Sequence, residues 1–104
     1  MGLLDIFKSN SISNEDLKQM VNSNAFLVDV RTPGEFASGS AKGAVNIPLD
    51  TVSQQLKKFK GKDQIVVFCR SGNRSGQAKQ ILESNGIENV VNGETVERVA
   101  QAQS

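Results

Sequence analysis

Four consecutive apolar residues, Ile65-Val-Val-Phe68, follow the polar turn Gly61-Lys-Asp63 and run straight into Cys69-Arg-Ser-Gly-Asn-Arg-Ser-Gly76. A short unbroken apolar run suits a central parallel strand covered on both faces; a strand with one wet face would alternate instead. Strand-like and helix-like stretches alternate around it. Phe26-Leu-Val-Asp-Val30 reads as a strand closed by Thr32-Pro33-Gly34, and Gly43-Ala-Val-Asn-Ile47 as another stopped by Pro48. Val90-Val91 gives a last short one. That order argues for a small α/β domain, a central parallel β-sheet flanked by helices on both faces.

The helical stretches carry their own punctuation. Ser13 is placed to cap a helix whose first turn holds Glu15 and Asp16, with Leu17, Met20 and Val21 as its apolar face. Glu35 to Ser38 is a short helix. Asp50 or Thr51 can cap a third, with Val52, Leu56 and Phe59 at i, i+4 and i+7. Lys57, Lys58, Lys60 and Lys62 at its end read better as cations near a helix C-terminus than as an anion patch. Ala78, Ile81 and Leu82 mark a fourth, stopped at Asn85-Gly86, and Val96, Val99 and Ala100 a last short one. Residues 1–10 form an N-terminal extension, whose Leu3, Leu4, Ile6 and Phe7 suit packing against the domain better than a surface anchor.

Composition narrows the chemistry. The 104 residues fit one domain, residues 11–104 after the extension, and 38% apolar residues allow a modest core without Trp or Tyr. A net charge of +1 leaves no basic footprint for nucleic acid, and five Phe make a poor base-stacking platform. No apolar run is long enough for a membrane span. With no histidine, Ser-His-Asp and Cys-His catalysis are excluded. One cysteine excludes an internal disulfide and a Cys-rich zinc site, and the carboxylates show no ligand cluster, so neither metal nor cofactor is expected. Asp5 interrupts the first apolar stretch and no basic leader precedes it, so it does not read as a secretory signal. Ile6 stands where a myristoylation signal wants Ser or Thr. A cytoplasmic monomer is expected.

Chemistry then falls to Cys69. In parallel α/β sheets ligands bind beyond the carboxyl ends of the strands, beside helix N-termini. A thiol with a pKa near 8.5 is only about 3% thiolate at pH 7. Gly72 lets the backbone curl so that successive amides point inward, and Arg70, Arg74 and Lys79 meet no acid between Arg70 and Leu82. Two charge-assisted hydrogen bonds of about 1.5–3 kcal/mol each would lower the pKa by about two units, which needs ~2.7 kcal/mol. A lone cysteine ending a strand is more often a small buried hydrophobe. Two glycines, two arginines and two serines in the next seven residues weigh against that here.

At these residues the chain resembles the rhodanese-like domains, sulfurtransferases that carry a persulfide on one cysteine. Cys69-Arg-Ser-Gly-Asn-Arg-Ser75 is similar to their active-site loop. Asp29-Val-Arg31 with Glu35-Phe36, and Gly43-Ala-Val-Asn-Ile-Pro-Leu49, are similar to the family's earlier signatures, and the likeness runs from about Ile12 to Gly93. The resemblance implies that Cys69 takes sulfur from a donor such as thiosulfate and passes it to cyanide or a thiol. It implies a cradle of Ser71, Gly72, Asn73, Arg74 and Ser75, with Arg70 at the variable position influencing donor choice. Arg70 and Arg74 would favour anionic donors, and a protein could serve as donor or acceptor. Asp29 and Arg31 could support the site, although a structural role fits them better, and Arg31 and Glu35 at i, i+4 are spaced to pair. Two departures stand out. Gly39 is followed by Ser40 where the family often has histidine, and Gly93 is followed by Glu94 where it often has a second glycine.

Rival readings remain open at this point. Cysteine phosphatases and arsenate reductases use a loop with five residues between cysteine and arginine; here there are four. A non-catalytic module, or a carrier handing persulfide to one protein partner, would keep the loop without turnover. Gly72 and Gly76 fit neither a dinucleotide fingerprint nor a P-loop.

Overall fold

The computed structural model describes Phe7 and residues 11–104. The elements run α1 (Asn14–Val21), β1 (Phe26–Asp29), α2 (Pro33–Ala37), β2 (Val45–Asn46), two 3₁₀ turns η1 (Leu49–Gln54) and η2 (Leu56–Lys58), β3 (Ile65–Cys69), α3 (Asn73–Ser84), β4 (Val90–Thr95) and α4 (Val96–Ala102). The four strands form one sheet in the order β2-β1-β3-β4, parallel throughout.

β3 is buried at every position. Its side chains alternate between two apolar clusters, which is why the run reads as continuous rather than alternating. Ile65, Val67 and Cys69 join Val28, Ile47, Val52, Phe59 and Leu82 under η1, η2 and α3. Val66 and Phe68 join Leu17, Met20, Val91 and Val99 under α1 and α4. Each fully buried Val, Leu, Ile or Phe contributes roughly 1.5–3 kcal/mol of transfer free energy, so the sheet is held from both sides. Phe59 adds an edge contact with Phe26, ring centroids 5.8 Å apart. No helix among the described residues is long and apolar enough to cross a membrane.

Most expected elements are present. Ser13 caps α1, its hydroxyl accepting from the Asp16 N–H at 3.1 Å. β2 is shorter than the stretch 43–47, yet the Ile47 and Leu49 N–H groups continue its ladder to the carbonyls of Asp29 and Val30. Phe7 packs against the second cluster; the rest of the 1–10 extension lies outside the described residues.

Two expectations fail. The helix expected around Val52, Leu56 and Phe59 is instead a pair of 3₁₀ turns broken at Gln55, without the Asp50 or Thr51 cap. Thr51 donates its hydroxyl to the Pro48 carbonyl at 2.9 Å, and the Thr51 and Gln55 N–H groups bond to carbonyls three residues back. These local bonds compete with an α-helical ladder, while Val52, Leu56 and Phe59 still reach the core. The last helix is present as α4 with Val96, Val99 and Ala102 turned inward, but Ala100 is exposed.

Candidate active site

Cys69 closes β3, and Gly72 opens α3. Gly72 has φ +95°, a left-handed conformation that glycine adopts without steric cost, and a Cβ there would meet the Glu94 side chain at 3.4 Å. This turn folds the loop back over the sulfur. The Gly72 N–H donates to Cys69 Sγ at 3.0 Å, and the Ser75 hydroxyl lies 3.4 Å from it. No side chain of the capping residue Gly72 satisfies the first amides of α3. The sulfur does part of that work, because the Ser75 N–H in the first turn of α3 acts on it, as the Ser71 N–H does from the loop. Burial pushes the Cys69 thiol up, but the Ser75 hydroxyl and the N–H groups of Ser75, Ser71 and Gly72 outweigh it and bring the thiol below its ordinary value.

The sulfur is less open than the sequence reading held. Cys69 has 0% exposure, and the exposed residues of the loop are Arg70, Ser71 and Asn73. The reason is the inward turn of the amides itself: a sulfur that caps a helix is enclosed by the residues that cap onto it. Two cavities flank the loop. One of about 320 Å³ lies between Val30, Thr32, Pro48, Leu49, Asp50 and Arg74. The other, about 280 Å³, is bordered by Gly72, Asn73, Gly76, Lys79 and Asn92.

The charges pair differently from expectation. Arg74 does not turn its guanidinium fork on the sulfur; it grips Glu35 through Nη1–Oε1 at 2.7 Å and Nη2–Oε2 at 3.0 Å. Glu35 is therefore not the partner of Arg31. The Arg74 hydrogen bonds, with the Thr32 N–H in a capping box, hold the Glu35 carboxyl down at about 2. Arg31 instead binds Asp29, Nη2–Oδ2 at 2.7 Å, and donates to the Gly39 carbonyl at 2.7 Å. Asp29, 0% exposed, also accepts from the Ser40 hydroxyl at 2.8 Å. Ser40, at the position where the family often has histidine, thus supplies a hydrogen bond to Asp29. These contacts make Asp29 and Arg31 a brace at the end of β1. Among the loop cations, Arg70 stays exposed.

One polar residue escaped the sequence reading. Asn92 of β4 accepts from the Ser75 hydroxyl at 2.6 Å and from the Glu94 N–H at 2.9 Å, and its Nδ2 donates to the Gly72 carbonyl at 3.1 Å. It arrives there through a register shift in which Val67 pairs with Asn92 but Phe68 with Glu94, leaving Gly93 bulged. A glycine inside an apolar strand, after a lone Asn, was the available signal. Glu94 itself sits at φ +72° and accepts from Arg98 Nη1 at 2.5 Å.

A family model for the rhodanese-like domain matches residues 13–94. A sulfurtransferase of Allochromatium vinosum is 34% identical over 85 residues, spanning 80% of this chain and 79% of that one. The thiosulfate sulfurtransferase PspE of Escherichia coli is 35% identical over 75 residues, 70% and 72% of the two chains. Among solved structures, a rhodanese-like domain protein from Staphylococcus aureus superposes with a TM-score of 0.74 at 33% identity, covering 88% of this chain and 91% of that one.

Proposed function

The chain belongs to the rhodanese-like domain family, and from that premise we propose that it is a sulfurtransferase acting through a Cys69 persulfide, with thiosulfate as donor and cyanide or a thiol as acceptor. The observation that carries this reading is the Gly72 N–H aimed at Cys69 Sγ from 3.0 Å, at the head of a helix with no side-chain cap. It is an anion site built around sulfur rather than around an added base. A chain without histidine needs such a site to hold a thiolate at neutral pH.

In the first half-reaction the Cys69 thiolate attacks the outer sulfur of thiosulfate. The new S–S bond forms as the donor's own S–S bond breaks, and sulfite leaves with the electron pair. The negative charge now rests on the outer persulfide sulfur, where the loop amides and the Ser75 hydroxyl can follow it. In the second half-reaction cyanide or a thiolate attacks that sulfur, and Cys69 leaves as thiolate. Arg70, exposed beside the sulfur and outside the ion pairs that occupy Arg74 and Arg31, is the cation that meets an anionic donor. Ser71 and Asn73 are the other exposed residues of the loop over the sulfur. Two covalent half-reactions give ping-pong kinetics.

The shorter cysteine–arginine spacing and the engagement of Arg74 by Glu35 both disfavour a phosphatase, whose arginine must face the bound oxyanion. Intact-protein mass spectrometry after incubation with thiosulfate tests the proposal. Wild type gains one sulfur atom and loses it to cyanide, whereas Cys69→Ser gains none. Equal gain in the variant would exclude Cys69. Stoichiometric loading without turnover would make the protein a carrier rather than an enzyme.

A further inference from the structure

The Ser75 hydroxyl has one proton and two claimants, the Cys69 sulfur and the Asn92 carboxamide. The orientation of Asn92 decides between them. Its oxygen must face the Glu94 N–H, a donor, and its nitrogen must face the Gly72 carbonyl, an acceptor, so the amide cannot be flipped without losing both bonds. The atom 2.6 Å from Ser75 is therefore an acceptor only, and Ser75 gives its proton to Asn92. Toward sulfur, 3.4 Å away, the same oxygen is then left as an acceptor. It can receive the S–H of a neutral thiol, but it offers nothing to a thiolate until the hydroxyl rotates.

We propose that Asn92 is a positioning residue that sets the proton affinity of Cys69 through Ser75, withholding the hydroxyl proton from sulfur while the thiol is neutral and yielding it when the sulfur becomes an anion. When Cys69 loses its proton to solvent, the Ser75 O–H turns from Asn92 to the sulfur. Asn92 keeps its bond from the Glu94 N–H, so the rotation strands no buried donor. The same turn serves a persulfide, whose charge also lies on sulfur. This deepens the reading of Cys69 as the sulfur carrier and rests on it for its biological meaning, but not for its chemistry.

The loop does not depend on Asn92 alone. The Gly72 carbonyl also accepts from the Gly76 N–H at 3.0 Å, the first rung of α3, so the turn keeps an anchor when the carboxamide is removed. The charged groups on the elements around Cys69 are Arg70 in the loop, Arg74, Lys79 and Glu83 on α3, Asp50 on η1, Glu35 on α2, Asp29 and Arg31 at the end of β1, and Glu94 on β4. Glu35, Asp29 and Glu94 are each bound by an arginine, and no substitution below touches any of these groups.

The test is the pH profile of Cys69 alkylation by iodoacetamide, followed by intact mass, in wild type, Asn92→Ala, Ser75→Ala, the double variant and Asn92→Asp. Asn92→Ala frees the hydroxyl for the thiolate and lowers the midpoint by about half to one pH unit, a three- to tenfold rate gain below it. Ser75→Ala raises the midpoint, and the double variant matches Ser75→Ala. Asn92→Asp keeps the acceptor and adds a negative charge, so it shows no lowering; the double variant guards against a general loosening of the loop. An Asn92→Ala midpoint that is unchanged or raised overturns the proposal. So does a lowering that persists without Ser75. Because the alkylation midpoint reports the thiolate and involves no sulfur donor, the expected pattern in a protein that takes no sulfur from thiosulfate would refute the sulfurtransferase reading and leave this inference standing.

Discussion

Replacing Gly93 with alanine tests whether the bulge that aims Asn92 is forced by packing. A Cβ on Gly93 would lie 2.8 Å from Val66 Cγ1 and 2.9 Å from Val99 Cγ2, closer than such atoms approach in folded proteins. Neither neighbour has room to withdraw: both valines are 0% exposed, one on β3 and one on α4. Overpacking of this kind costs about 1–3 kcal/mol. Alanine lowers the entropy of the unfolded chain and returns about 0.4–1 kcal/mol of that. The net is a destabilisation of about 1–2 kcal/mol. For a domain of this size each kcal/mol moves Tm by about 4–8 °C, so Gly93→Ala should melt about 10 °C below wild type. Gly34→Ala is the matched control, since its Cβ meets nothing within 4 Å inside α2, and it should melt at or slightly above wild type. Differential scanning calorimetry of the three proteins suffices. A Gly93→Ala melting point within about 2 °C of wild type would mean that β4 can slide to relieve the contact. The bulge would then be a soft feature rather than one fixed by the core.

Two other perturbations probe the brace behind the loop. Asp29→Ala strips Arg31, whose side chain is 12% exposed, of its carboxylate, and should cost about 3–5 kcal/mol in urea unfolding; a loss below about 1 kcal/mol would show that the pair does not hold the end of β1. Glu35 is depressed by Arg74 from 4.5 to about 2, so its contribution to stability is complete above its ordinary value and fades as pH falls through that window. The gap in urea midpoint between wild type and Glu35→Gln should accordingly be constant above about pH 5 and shrink toward pH 2. A gap independent of pH would mean that the carboxylate charge is not what Arg74 holds.

The parts of this molecule that were legible in advance are those written in local grammar. The unbroken run at β3, the Ser13 cap and the Asn85-Gly86 stop each follow from a few adjacent residues, and so does the placing of Cys69 at a helix head. The 3₁₀ turns were misread because Val52, Leu56 and Phe59 satisfy an α-helical period, yet two tighter turns with a break at Gln55 bring the same three residues inward. The Arg74–Glu35 pair joins residues 39 apart in the chain, and Arg31 stood nearer as a partner by spacing alone. Asn92 was missed for a tertiary reason as well. Its direction depends on a bulge at Gly93, packed against Val66 and Val99; the glycine after Asn92 hints at a bulge, but the partners that Asn92 then meets lie on other elements.

The two kinds of group expected to hold the Cys69 thiolate do not contribute alike. On sequence grounds the curled backbone amides and the cations shared that role, since the loop and the first turns of α3 carry cations and no acid. In the folded chain Arg74 and Arg31 are each held by a carboxylate, and the groups that bring the thiol down against its burial are the Ser75 hydroxyl and the N–H groups of Ser75, Ser71 and Gly72. Fixed dipoles in contact with a buried sulfur and a mobile charge at the surface respond differently to salt. Raising ionic strength from about 0.1 M to 1 M shortens the screening length from about 10 Å to about 3 Å, which removes most of an exposed charge's influence and little of a hydrogen bond's. The alkylation midpoint of Cys69 should therefore move by less than about 0.3 pH unit over that range, and Arg70→Ala should leave it in place while weakening capture of an anionic donor. A midpoint that climbs by about a full unit in high salt, or on loss of Arg70, would return the thiolate to the arginines and leave the amides a bystander role.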